Sequence, residues 1–291
     1  MQTRELISSI ESTISSPTER AYFWTHQTRY EEILDRVSAI ASLRHGIYTS
    51  DNNDLKGTEN QSVNATKHPD VKNSDTTHER LKPKRAGEQL KVLDVGCFPY
   101  HLGAAMEKVG LDVYGISSQH EPLRRAKIKT CNIETDKFPF KDNFFDIVIF
   151  TEVLEHLPQA PLHTLKEIYR VLTPGGHVLI TTPNIARSIN RAKLLLGKSV
   201  TYPLSQVLEQ DGRGSNIYHR HNREYTVHEV AELAHRAGFS IDVATTFVSY
   251  TPWRRRAIPD PLWIKAGKIA NYALMLLIAG LRDTVLVTGK K

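Results

Sequence analysis

Residues 91–103 read KVLDVGCFPYHLG, and this stretch decides the fold. Val92, Leu93 and Val95 make the apolar, β-branched run of a buried parallel strand. Asp94 lies near the end of that run, Gly96 marks the turn after it, and an amphipathic stretch follows with Leu102, Ala105, Met106 and Val109. A strand, a glycine turn and a helix in that order build a nucleotide site. The glycine lets a ligand approach the backbone, and the free N–H groups opening the helix favour polar or anionic groups. Alone, the pattern also describes an ordinary α/β turn, so its meaning depends on its neighbours.

The chain has 291 residues, enough for one large α/β domain with additions or for two small domains. With 40% hydrophobic and 24% charged residues it has the composition of a soluble globular protein. A formal charge of +6 fits either a solvated basic surface or an anionic partner. Cys97 and Cys131 are the only cysteines, so no disulfide framework is implied and a reducing compartment fits. The opening MQTRELISSIESTI lacks the basic-then-apolar layout of a signal peptide. No apolar run reaches the roughly 18–20 residues that span a bilayer. A cytoplasmic protein is expected, with peripheral contact at the inner face of the membrane left open.

Upstream of the opening strand, residues 4–14 read as a short helix. A stronger one starts at Ser16 as N-cap, with Pro17 at the first helical position. Tyr30, Ile33, Leu34, Val37, Ile40 and Ala41 recur there at helical spacing and bury one face. Residues 1–48 are therefore expected as N-terminal helices that cap the site. Residues 49–89 are nearly free of large apolar side chains and read as a disordered insertion. In the domain that follows, 90–291, Gly110 ends the first helix. Strands are expected over 112–116, 128–132, 145–150, 177–182, 239–246 and 284–288. The connection before the third is too short for a full helix. A helix over 161–172 stops at Pro174-Gly175-Gly176, and a basic amphipathic segment runs over 185–196. Thr226 and Glu229 form a capping box for a helix that stops at Gly238. Strands alternating with helices make an α/β, doubly wound, mostly parallel sheet.

Four blocks then stand in order: VLDVGC (92–97), FPFKDNFFDIVIFTEVLEHL (138–157), LKEIYRVLTPGGHVLITTPN (165–184) and YTVHEVAELAHRAGF (225–239). Over residues 88–247 and the final strand, the chain resembles the class I S-adenosylmethionine-dependent methyltransferases of the small-molecule type, methyltransferase type 11. The resemblance implies a seven-stranded, Rossmann-like sheet in the order 3-2-1-4-5-7-6, its last strand antiparallel. It implies S-adenosyl-L-methionine as cofactor, lying across the carboxyl ends of strands 1 and 2. Asp94, Gly96 and Cys97 match the motif that meets its methionine part, and Asn132, Ile133 and Glu134 match the segment that brackets adenine. Thr151 and Glu152 match the lip of strand 4. Two departures stand out. The family's loop glycines are replaced by Phe98 and Tyr100, so Phe98 or Tyr100 is expected to pack on the ligand. The ribose-binding acid is replaced by Ser117, with Ser118, Gln119, His120 and Glu121 close enough to substitute.

Glu155-His156 follows strand 4, where a base reaches an acceptor held against the methyl group. His156 is read as that base, against the alternative that it packs the next segment. The block IYHRHNREY (217–225) precedes the capped helix and suits recognition of a polar or anionic acceptor. The catalytic set expected is His156, Glu152 and His221. The substrate-binding set is Arg187, His219, Arg223 and Tyr225, within an acceptor-side segment over 185–226. No metal is expected, because the His-x-His spacing has no carboxylate or cysteine frame beside it. The insertion over 253–282 is amphipathic. Its 262–282 part suits a membrane interface, or packing on the domain or on a second copy as a homodimer. The reading is a methyltransferase for a small-molecule, sugar or lipid-linked acceptor. An RNA methyltransferase is one alternative, but no RNA-binding module supports it and no nucleic acid is expected. A non-catalytic binding protein that keeps the fold is another, suggested by the missing glycines.

Overall fold

The computed structural model describes residues 3–11, 14, 16–44, 88–118, 127–201, 218, 220–250 and 261–291. The insertion over 49–89, save Glu88 and Gln89, and the short connection before the third strand lie outside the described residues. Helices α1 (Thr3–Glu11) and α2 (Pro17–Arg44) precede β1 (Lys91–Val95), α3 (His101–Lys108), β2 (Asp112–Ser117), β3 (Ile128–Thr130) and β4 (Phe145–Thr151). Then follow α4 (Pro161–Val171), β5 (Leu172–Pro183), α5 (Ser188–Leu195), α6 (Val227–Arg236), β6 (Ser240–Phe247), α7 (Leu262–Leu277) and β7 (Thr284–Lys290). The strands form one sheet in the order β3-β2-β1-β4-β5-β7-β6. Only β7 runs antiparallel to its neighbours. The expected doubly wound order is the observed one.

Pleating sorts the central strand between two cores. Ile147 and Ile149 of β4 face α1, α2 and α3, among Phe23, Ile33, Leu34, Val37 and Met106. Val148 and Phe150 face α4 and α6, among Leu165, Ile168, Val230 and Ala234. Successive side chains of a strand point to opposite faces, and a parallel sheet needs both covered. The N-terminal helices thus form one face of the domain, as the stripe Tyr30, Ile33, Leu34, Val37 and Ile40 requires.

Three boundaries differ from the sequence reading. Helix α4 stops before Pro174-Gly175-Gly176 as expected, but β5 already starts at Leu172 and runs through that segment. Leu172 pairs with Phe145, the ladder shifts register, and it resumes at Ile147 with His177. Gly175 absorbs the irregularity with a φ of +71°. Helix α5 starts late because Asn184 makes a local turn first, its side-chain oxygen accepting from the Ala186 N–H at 3.0 Å. The insertion before β7 is a helix that does not bury its leucines on the domain, with Leu277 82% exposed.

The last turn of α2 is tied to the sheet by charge. Arg44 donates to the Thr173 hydroxyl at 2.7 Å and lies 3.4 Å from Asp146. The same carboxylate accepts the Lys91 N–H at 2.8 Å. Burial pulls the Arg44 guanidinium below its ordinary value while the Asp146 charge opposes that shift. Replacing Arg44 with Met leaves the Asp146 carboxylate buried without its cation. The expected loss of unfolding free energy is about 3 kcal/mol, the usual scale for breaking one side of a buried pair. Urea denaturation measures it, and a loss under about 1 kcal/mol would mean that the Lys91 N–H suffices.

Candidate functional site

Parallel strands open their carboxyl ends on one edge, and the loops there enclose a cavity of about 560 Å³. Gly96, Ile116, Ser118, Asn132, Ile133 and Val153 line it, joined by Tyr218. Its size is that of a small-ligand or cofactor pocket. Gly96 has a φ of +84°, and a Cβ there would lie 2.4 Å from Val153 Cγ2. The N–H groups of Gly96 and Cys97 both donate to the Ile116 carbonyl, at 2.9 and 3.1 Å, which folds the loop over the end of β2. Asn132 shapes the far wall, its side-chain oxygen accepting from the Glu134 N–H at 3.1 Å.

Other residues expected on this side stand behind the wall. Asp94 is buried at 4% exposure, and burial raises its carboxyl from 3.8 to about 7. Cys97 packs against Gly115 of β2. Glu134 is buried and caps the start of α4, accepting from the N–H groups of Gln159 and Ala160 at 2.8 and 2.7 Å. Ser117 is buried beside Ser118, which does line the cavity. Thr151 pairs with Thr181 in the sheet. Tyr100 turns back onto α3, its hydroxyl donating to Glu107 at 3.0 Å, and Phe98 is exposed, so neither occupies the cavity. The missing glycines therefore leave the opening clear. Gln119, His120 and Glu121 lie outside the described residues.

Beside this cavity lies a second one of about 390 Å³, lined by His26, Arg29, Glu155, Arg187, His221 and Asp283 among others. Glu152 and His156 line both. Glu152 follows β4 with a φ of +55°. Its carboxylate accepts the Thr181 hydroxyl at 3.0 Å and pairs with the Arg29 guanidinium. His156 closes a single 3-10 turn, Leu154–His156. Its Nδ1 lies 3.0 Å from the Arg220 carbonyl, which only accepts, so Nδ1 carries the proton and Nε2 the lone pair in the neutral ring.

The loop after residue 219 is stapled to that turn. The Glu155 carbonyl accepts from the N–H groups of Asn222 and Arg223 at 2.7 and 3.2 Å, and Asn222 Nδ2 donates to the His156 carbonyl at 2.8 Å. His221 is thereby set edge-on to His156, with ring centres 5.0 Å apart. Glu155 is buried, accepts the Thr182 hydroxyl at 2.9 Å, and is raised well above its ordinary value by burial first and the Glu152 charge second. One ligand atom from each of Glu155, His156 and His221 lies within 4.8 Å of the others, close enough to share a metal ion. No metal was expected from the spacing around His221; folding adds Glu155 from a distant segment to the two histidines.

The acceptor-side residues separate. Arg187 lines the second cavity but is engaged bidentately by Glu224, at 2.6 and 2.9 Å. Burial favours the neutral form of Glu224, yet hydrogen bonds from His221 and Arg187 outweigh it and hold the carboxyl down at about 2. Arg223 points to solvent, paired with Glu229 and lying over the Tyr225 ring at 5.2 Å. Tyr225 is a core residue, 3% exposed. Neither Arg223 nor Tyr225 lines either of these two cavities. His219 lies outside the described residues. Arg29, His26 and Tyr218 were not foreseen. Arg29 had a legible signal, since it extends the apolar stripe Ile33, Val37 and Ile40 at helical spacing, where a charge needs a reason.

Known proteins resemble this chain in the same region. A family described as "Methyltransferase domain" matches residues 65–243. The ubiquinone biosynthesis O-methyltransferase of Acinetobacter baylyi is 29% identical over 207 residues, covering 65% of this chain and 77% of that protein. The protein of the same name from Aliivibrio fischeri (strain MJ11) is 34% identical over 105 residues, or 32% of this chain and 44% of that one. A SAM-dependent methyltransferase from Archaeoglobus fulgidus, 14% identical, superposes with a TM-score of 0.47 over 70% of this chain and 86% of its own.

Asp94 ties this site to folding. Between its ordinary 3.8 and about 7, the folded protein holds a proton that the unfolded chain has released. Stability present below that window is therefore lost as pH rises through it, by roughly 4 kcal/mol. Asp94→Asn should flatten the pH dependence of urea denaturation between about pH 4 and about pH 7. An unchanged slope would place the titration in another group.

Proposed function

The chain belongs to the methyltransferase-domain family, and on that premise we propose that this S-adenosylmethionine-dependent enzyme methylates a hydroxyl oxygen of a small-molecule acceptor. The observation that carries the reading is the shared wall: Glu152 and His156 line two adjoining cavities, one suited to each substrate. The first cavity suits the methyl donor in size and position, about 560 Å³ at the carboxyl ends of β1 and β2, where the Gly96 turn lets Val153 pack closely in its wall. Asn132 and Ile133, which match the family's adenine-bracketing segment, line this cavity, and so does Ser118, which could take the ribose hydroxyls in place of the missing acid. S-adenosylmethionine supplies an already activated methyl group, so the protein has to align the acceptor and take its proton. His156 Nε2, its lone pair directed by the Nδ1 contact to Arg220, is the base for that proton. His221 stands beside it and Glu152 is held by Arg29, both bordering the acceptor.

The acceptor class follows from charge. Both arginines of the second cavity are already paired, Arg29 with Glu152 and Arg187 with Glu224. A neutral, hydroxyl-bearing acceptor leaves both of these pairs intact, whereas a phosphate or carboxylate would have to displace a carboxylate to reach either arginine. The similarity to O-methyltransferases of ubiquinone biosynthesis supports oxygen as the methylated atom.

A second reading has its own observation. Glu155, His156 and His221 can hold a divalent cation, which would bind and acidify the acceptor hydroxyl in place of a histidine base. The two readings divide on one experiment. His156→Gln should keep S-adenosylhomocysteine affinity by calorimetry while slowing methyl transfer to phenolic and sugar hydroxyls by at least about tenfold. Wild-type enzyme treated with a chelator should lose nothing if His156 is the base. Activity that disappears with the chelator and returns with a divalent cation would favour the metal. Full activity of His156→Gln would remove His156 from both roles.

A further inference from the structure

Helix α7 carries its apolar residues on the wrong side for an ordinary surface helix. Ile264, Lys268, Asn271, Tyr272 and Met275 turn towards the body, and of these only Met275 is fully buried. The outward side carries Leu262, Trp263, Ile269, Leu274, Leu276 and Leu277, with Trp263 76% and Leu262 84% exposed. Polar contacts set this orientation. Asn271 Nδ2 donates to the Tyr250 hydroxyl at 2.8 Å, the Tyr250 and Tyr272 rings meet edge-on, and Arg282 Nε donates to the Met275 carbonyl at 3.2 Å. Rolling the helix over to bury its leucines would break all three.

A second apolar patch leaves the same edge of the sheet. The Asn184 side chain, at the root of α5, donates to the Arg282 carbonyl just beyond α7 at 2.7 Å. At the far end of α5, Leu194, Leu195 and Leu196 are 58%, 89% and 71% exposed. Neither helix contains an aspartate or glutamate, whereas Lys193, Lys198 and Lys265 are exposed among the leucines. Large exposed apolar patches mark an interaction surface. Here the charge chooses the partner: cations with no anions among them, next to leucines and a tryptophan, match an anionic lipid surface.

We propose that this edge docks on an anionic phospholipid bilayer, with α7 lying in the interface. At 16 residues α7 is about 24 Å long, and no described helix is long and apolar enough to cross a membrane. Its leucines and Trp263 enter the acyl boundary, and the lysines meet headgroups. A second copy of this chain is the poorer occupant. An isologous contact sets the same patch against itself and brings lysine to lysine, with no acid on either helix to answer. Ser249 and Asp283, next to α7, line the second cavity, so a bound bilayer borders its mouth. Delivery of an amphiphilic acceptor from the bilayer rests on the proposed function; the docking does not.

Cosedimentation of the full chain with sucrose-loaded vesicles tests it, comparing phosphatidylcholine alone with phosphatidylcholine containing about 30% phosphatidylglycerol. The expected result is binding to the anionic vesicles that weakens with added salt. The paired substitutions Leu276→Glu and Leu277→Glu should reduce it at least about tenfold, and Trp263→Ala with Lys265→Glu should reduce it independently. Far-ultraviolet circular dichroism and S-adenosylhomocysteine affinity report folding, and both should be unchanged because these side chains lie outside both cavities. Three results overturn the proposal: no pelleting with either vesicle, equal pelleting with neutral and anionic vesicles, or equal pelleting of wild type and both folded variants. A mass that doubles with concentration and is halved by the glutamates would also overturn it and assign the surface to a second copy.

Discussion

Glu152 leaves β4 in the left-handed region, a conformation that costs a non-glycine residue about 1–3 kcal/mol unless its surroundings over-determine it. Three contacts do so: its N–H donates to the Thr181 carbonyl at 2.9 Å, its carboxylate accepts the Thr181 hydroxyl, and Arg29 closes an ion pair. The site depends on this reversal. It brings Val153 against Gly96 and starts the turn that carries Glu155 and His156. That turn offers the Glu155 carbonyl to the backbone of residues 222 and 223, which sets His221 in place. A strand that ran straight on would leave the two cavities without a common wall.

The same ion pair makes the N-terminal helices serve two purposes. Tyr30, Ile33, Leu34 and Val37 bury one face of the sheet, while Arg29 reaches its carboxyl edge one turn before Ile33. Arg44, at the other end of the same stripe, reaches Asp146 near the opposite edge. Two buried arginines on one apolar stripe hold α2 in a single register, since sliding by a turn would leave two carboxylates without cations.

Much of the fold was legible because its signals are local. Apolar β-branched runs named the strands, and the capping box at Thr226 and Glu229 is present as read. The early start of β5 was not legible, because Pro174-Gly175-Gly176 looks like a stop until Leu172 is seen paired with Phe145 on another strand. The donor side of the site was partly legible for the same reason: Gly96, Asn132 and Ile133 lie at strand ends, where backbone geometry decides what faces the cavity. The acceptor side depends on long side chains and their distant partners. Arg187 could be seen as a cation, but Glu224, which occupies it, lies on another segment. Tyr225 looked like part of a polar loop, yet its isolated bridge to Asn184 draws it into the core.

These hidden partners change what the second cavity can accept. Counted from the sequence, the segments around it are basic; assembled, the two arginines that line it, Arg29 and Arg187, each face a carboxylate. Glu224 collects Arg187, Asn190 and His221, which explains why it stays ionised despite its burial. Glu155 is in the opposite position, buried beside the charged Glu152 with the Thr182 hydroxyl as its side-chain donor, and its carboxyl is pushed up. Two acids from distant segments, one beside each member of the histidine pair, are thus driven in opposite directions. Such a divergence keeps one group as a fixed anion and leaves the other able to exchange a proton. His156 lies 3.9 Å from Glu155, and His221 lies 3.2 Å from Glu224. His221 is thus anchored by an anion that keeps its charge, whereas His156 borders a carboxyl that burial drives towards its neutral form. Paired arginines and a divided pair of acids point to the histidines, rather than the guanidinium groups, as the polar groups that meet an acceptor in the second cavity.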